Sequence, residues 1–152
     1  MASVQLFGVP AKPVHGLARG ALVLAAFLTG FVAHTECIHA TTGQLLADFS
    51  FHSRDLLADP LQPYVYAMRA DSNAISVIDT RTLSITSTIP LSGTGYGMAL
   101  SPDGNSLYAT EYSSNAVAVI DTHTLTVART ISLNYGPWAI AAGLNNRLYV
   151  LG

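Results

Sequence analysis

The chain has 152 residues, half of them hydrophobic, only 11% charged, and a formal net charge of −2. That length and apolar content are enough for one core-bearing domain and exclude wholesale disorder. The weak, slightly acidic balance gives no footprint for nucleic acid or an anionic membrane surface, so no nucleic-acid partner is expected.

At the N-terminus, Lys12 and Arg19 precede an apolar run from Gly20 to Ala33. A basic flank before roughly 7–15 apolar residues has the layout of a signal peptide, and a membrane span needs about 20. Residues 1–40 are therefore expected to be a signal peptide. An uncleaved signal anchor stays open, because Ile38-His39-Ala40 lacks a small residue at the −3 position. The expected location is exported: periplasmic, cell surface or extracellular, with membrane contact only if the leader is retained. The lone Cys37 lies in this leader, so no disulfide can form beyond it. His34, Glu36, Cys37 and His39 could in principle hold zinc, but they too belong to the leader, and no metal site is expected. Past residue 40 the chain carries five arginines and eight acids, a net of −3, and no lysine.

Residues 41–54 read as a lead-in, and strands are expected at 55–59, 64–70, 74–80 and 83–91. In 74–78, Ile75 and Val77 alternate with Ala74, Ser76 and Ile78, so neither face is polar and both are expected to be buried. The next segment alternates Leu83, Ile85 and Ile89 with Ser84, Thr86 and Thr88, the pattern of a half-exposed outer strand. Between them lies "DTRT", in which Asp79 accepts from backbone N–H groups ahead of it and Thr82 helps to close the turn.

The same text then returns. Residues 66–83 and 108–125 align without a gap at an offset of 42, and eleven of the eighteen positions are identical. Asp121 and Thr124 repeat Asp79 and Thr82, which marks all four as structural turn residues instead of chemistry. The second set of strands is expected at 97–101, 106–112, 116–122 and 126–133, and a third set begins at 139–143 and 147–151. A period near 40–45 residues built of short strands is the signature of propeller blades. The fold class expected is all-β: a β-propeller of four-stranded antiparallel blades at 55–91 and 97–133, with a half blade at 139–152.

The segments "NAVAVIDTHTLTVARTISL", "GMALSPDGNSLYAT" and "GPWAIAAGLNNRLYV" resemble YVTN-type β-propeller repeats, relatives of surface-layer and quinoprotein-like propellers. The tetrads here depart from Tyr-Val-Thr-Asn, reading Tyr66-Ala67-Met68-Arg69 and Tyr108-Ala109-Thr110-Glu111. Rings of this kind close with about four to eight blades. Two and a half blades therefore read as a partial chain, or as one that self-associates through open blade faces.

In such a ring the loops joining fourth to first strands and second to third strands share one rim. Here those loops are 92–96, 134–138, 69–73 and 111–115. They gather Arg69, Asp71, Tyr96, Glu111, Tyr112, Tyr135 and Trp138 as candidates for a ligand rim. Tyr96 and Trp138 are equivalent repeat positions, which also suits packing between blades. Asn73 and Asn115 are equivalent too, and Asn tolerates a left-handed turn. No nucleophile elbow, phosphate loop or Cys-His pairing is present, so no catalytic residue and no cofactor are expected. The function expected is an exported binding or interaction module, with an unknown protein or small-molecule ligand as its partner. The alternatives are a fragment of a lactonase- or quinoprotein-type propeller enzyme, or a structural surface-layer repeat.

Overall fold

Alternation of apolar residues along segments too short for helices builds an all-β molecule. The computed structural model describes residues 4–7, 45–145 and 147–152. The apolar run Gly20–Ala33 and the His34–His39 cluster lie outside the described residues. Of the expected lead-in, Leu45–Phe49 forms a strand, β2, which pairs antiparallel with β1 (Val4–Phe7), Val4 standing opposite Phe49. No helix among the described residues is long and apolar enough to cross a membrane.

The first four-stranded sheet is a meander of β3 (Ser53–Ala58), β4 (Tyr64–Arg69), β5 (Ala74–Asp79) and β6 (Ser84–Pro90). Its first strand starts two residues earlier than the expected 55, because Ser53 pairs with Arg69 across a bulge and its Oγ donates to the Met68 carbonyl at 3.0 Å. The second sheet repeats the order with β7 (Gly95–Leu100), β8 (Ser106–Glu111), β9 (Ala116–Asp121) and β10 (Thr126–Ser132). A two-stranded sheet follows, β11 (Ala139–Gly143) and β12 (Arg147–Leu151).

Burial follows from where each strand stands in its sheet. All six residues of β5 are buried, as are five of the six in β9, while β6 and β10 are largely exposed. The main core lies between the two four-stranded sheets. Tyr66, Met68, Ile75, Val77, Ile89 and Leu91 of the first meet Met98, Leu107, Ala109, Ala118 and Ile120 of the second. Burying each Leu, Ile, Val or Met side chain among them contributes roughly 1.5–3 kcal/mol. On the opposite face of the first sheet, Ala67 and Ile78 pack under Phe51, with Phe49 and Val65 alongside. The lead-in thus covers that face with aromatic rings.

The acidic turns take the form their chemistry dictates. Asp79 Oδ1 accepts from the Arg81 N–H at 2.7 Å, and Asp121 Oδ1 accepts from the N–H groups of His123 and Thr124 at 2.8 and 2.9 Å. Thr82 Oγ1 lies 2.8 Å from Ser84 Oγ, and Thr124 Oγ1 stands at the same distance from Thr126 Oγ1. Each hairpin closes through a left-handed leucine, Leu83 at φ 54 and Leu125 at φ 55, whose N–H bonds back to the Asp79 or Asp121 carbonyl.

The copies differ at one side chain. The Arg81 guanidinium holds Asp79 at 2.7 Å, and this bond, with the Arg81 backbone N–H second, pulls the carboxyl down to about 2. Asp121 is lowered chiefly by the backbone N–H groups of Thr124 and His123. An acid lowered in this way stabilises the fold above its unfolded pKa of about 3.9, and that contribution disappears as pH falls through the folded value. For Asp79 the window runs from about pH 4 to pH 2. Arg81→Ala is expected to raise the Asp79 midpoint and leave that of Asp121 unchanged in a carboxyl NMR titration. An unmoved Asp79 would remove the guanidinium as the cause.

Candidate ligand-binding rim

The starts of the first strands and the ends of the second strands lie at the same end of each sheet, since neighbours run antiparallel. Gly95 of β7 stands opposite Glu111 of β8, and Ser53 of β3 opposite Arg69 of β4. The connecting loops are tied together there. Tyr112 N donates to the Thr94 carbonyl at 2.7 Å, Thr94 N to Ser113 Oγ at 2.9 Å, and Thr94 Oγ1 to Asn73 Oδ1 at 3.4 Å. Leu91 N and Leu133 N donate to the carbonyls of Asn73 and Asn115, equivalent bonds one repeat apart. Asn115 is left-handed at φ 50, as its residue type allows, whereas Asn73 is not among the positive-φ residues.

Three aromatic rings meet on this rim. Tyr96 and Trp138 lie 4.5 Å apart between centroids, Tyr112 and Trp138 4.8 Å, and Tyr96 and Tyr112 5.5 Å in an edge-on arrangement. Such contacts add about 0.5–1.5 kcal/mol each beyond burial. The inter-blade packing expected for Tyr96 and Trp138 is therefore present, yet Trp138 remains 49% exposed. Tyr96 was expected in a loop and instead lies in β7, because the strand begins at Gly95.

The remaining candidates divide. Arg69 and Asp71 form a bidentate pair, Nε and Nη2 each 2.8 Å from a carboxylate oxygen, which lowers Asp71 to about 2. The Arg69 guanidinium also lies over the Phe51 ring at 5.0 Å. Tyr135 is exposed but contributes no ring to the triad; it stands against the backbone of Gly152. Glu111, a ligand-rim candidate from its place in the loop at 111–115, is only 1% exposed. It lies on the same side of β8 as Leu107 and Ala109, toward the first sheet, and its Oε1 accepts from Ser92 N at 2.6 Å. It clips the loop joining the two sheets and offers no surface to a ligand.

One rim residue was missed. Arg54 places its guanidinium 5.0 Å from the Tyr96 ring centroid. Arg54, Tyr96 and Trp138 are successive positions at the 42-residue period, so one repeat position forms a continuous cation–π–π ladder across three sheets. The period itself was the signal that could have found it.

Among the described residues no three His, Cys, Asp or Glu side chains converge as a metal site would require. What the rim provides chemically is exposed aromatic surface flanked by a guanidinium.

No protein-family profile matches the chain, and no curated protein matches it. Solved structures do. The hydrazine synthase of Kuenenia stuttgartiensis superposes with a TM-score of 0.61 at 19% identity, over 67% of this chain and 30% of that one. The WD40 β-propeller domain of Doa1 gives 0.61 at 16% identity, over 72% of this chain and 38% of its own. U3-55K gives 0.60 at 16%, over 67% and 33%. These likenesses show the fold: a β-propeller, WD40-like architecture of which the chain spans about a third of each matched structure.

Proposed function

We propose that this chain is a non-catalytic interaction module that presents the Arg54–Tyr96–Trp138 rim to a partner. The observation that carries the reading is the half-exposed indole of Trp138, held by Tyr96 and Tyr112 where the repeats carry different residues. Repeat positions that stay constant, such as Asp79 and Asp121, close turns, and a propeller's recognition is free to vary where its copies differ. Exposed Trp and Tyr beside Arg is the composition of interface hot spots.

A photo-crosslinking amino acid at position 138 is expected to yield a discrete adduct in the producing cell. The same group at exposed Leu61, in the turn at the opposite end of the first sheet, should not. No adduct from 138, or equal adducts from both positions, would sink the reading.

The finer identity belongs to the same proposal: an exported protein of the YVTN-type propeller kind. It is supported by the paired copies "SVIDTRTL" and "AVIDTHTL" and by the Lys12, Arg19 and Gly20–Ala33 leader pattern. Fusing residues 1–44 to alkaline phosphatase, which is active only after export, tests it directly; an inactive fusion retained in the cytoplasm removes the export reading.

A further inference from the structure

We infer that the rim recognises an extended peptide carrying an aromatic side chain and, two residues along, a carboxylate. The inference rests on the interaction-module reading and names its partner class.

Arg54 supplies the charge. Its side chain is exposed, its one hydrogen bond is a long one of 3.4 Å from Nη1 to the Arg69 carbonyl, and among the described residues it has no carboxylate partner. Arg69, in contrast, is already engaged by both oxygens of Asp71. A guanidinium stacked over a ring keeps its N–H edge available, and that planar fork fits a carboxylate in two parallel hydrogen bonds. Arg54 is thus the rim cation with donors to offer.

Trp138 and Tyr112 supply the apolar surface. Ring centroids 4.5–5.5 Å apart mean that the three rings touch one another, so there is no cage interior for a methylated ammonium. The Tyr96 face that would attract a cation is already covered by Arg54. A ligand must therefore lie across the outer surface of Trp138 and Tyr112, as a flat side chain does when it stacks.

Spacing joins the two contacts. The guanidinium is 5.0 Å from the Tyr96 centroid and the indole 4.5 Å from it, which places them less than about 10 Å apart. In an extended chain, side chains two residues apart share a face and are separated by about 6.6–7 Å at the backbone. Side-chain reach covers the remainder. Neighbouring residues would face opposite ways, and residues four apart would overshoot.

Trp138 is the chain's one tryptophan, so its fluorescence reports on the rim alone. The full chain is titrated with Ac-Phe-Gly-Glu-NH2, Ac-Phe-Gly-Gln-NH2 and Ac-Ala-Gly-Glu-NH2. The first is expected to bind about tenfold or more tightly than either of the others. Arg54→Gln should bring the Glu peptide down to the level of the Gln peptide, and Arg54→Glu should transfer the preference to Ac-Phe-Gly-Lys-NH2. Both variants are at an exposed position, and an unchanged circular dichroism spectrum confirms that they are folded. Equal binding of the three peptides, or indifference to Arg54→Gln, overturns the inference. If an adduct at position 138 persists in that case, the interaction-module reading survives; if it is also absent, both fall.

Discussion

Tyr66→Ala is expected to lower the unfolding free energy by about 3–5 kcal/mol, whereas Tyr149→Ala is expected to cost less than about 0.5 kcal/mol. The two tyrosines hold the same place in the repeat, on the second strand of their sheets, and differ only in what covers them. Tyr66 is 0% exposed and belongs to the core between the two four-stranded sheets, while Tyr149 is 60% exposed. The Tyr66 hydroxyl also donates to Asp59 Oδ2 at 3.3 Å, and burial, with Asp59 second, raises its pKa well above the usual phenol range. Asp59 is itself buried and accepts from the Leu61 and Gln62 N–H groups, so deleting the ring both opens a cavity and removes a partner from a buried carboxylate. Tyr108, partly buried on the face of the second sheet toward Arg129, Ile131 and Leu148, should fall between the two. Urea unfolding of the three variants checks the order. Equal losses would mean that stability is not concentrated between the first two sheets.

The architecture was open to reading because its cause is periodic. Two copies of one sentence 42 residues apart have to occupy equivalent places, and a strand such as Ala74–Asp79 with no polar face has to be covered on both sides. Asp79 and Asp121 were legible as turn residues for the same reason. Leu83 and Leu125 were not. A left-handed backbone favours glycine or asparagine, and leucine is held there by the turn's hydrogen bond to Asp79 or Asp121, which propensity does not encode.

At the rim, the sequence brought the right loops together but misjudged two charges. Glu111 was placed on the rim because it opens the loop at 111–115. The parity of its strand was the better guide, because two steps from Leu107 to Ala109 and two more to Glu111 keep the side chain on the buried face. Arg54 was passed over because it precedes the first strand expected from alternation. Only the 42-residue step shows that it stands where Tyr96 and Trp138 stand in later sheets.

Gly95→Ala is expected to cost about 1–3 kcal/mol, although it adds a single methyl group. Gly95 opens β7 beside the core, and a Cβ there would come within 2.6 Å of Met68 Cε and closer still to its sulfur, with Leu91 Cδ1 at 3.2 Å. Met68 is wholly buried, so its side chain has no solvent to retreat into and must displace its neighbours in the core. The glycine is required by this close approach, since its φ is not positive. Met68→Ala alone should cost about 2–5 kcal/mol through the cavity it leaves. In the double variant the new methyl occupies part of that cavity. The two losses should therefore combine to at least about 1 kcal/mol less than their total, a coupling measured by urea unfolding of all four members of the cycle. Strict additivity would show that Gly95 and Met68 do not share this space, and that the close packing of the two sheets at the rim end of the core is relieved elsewhere.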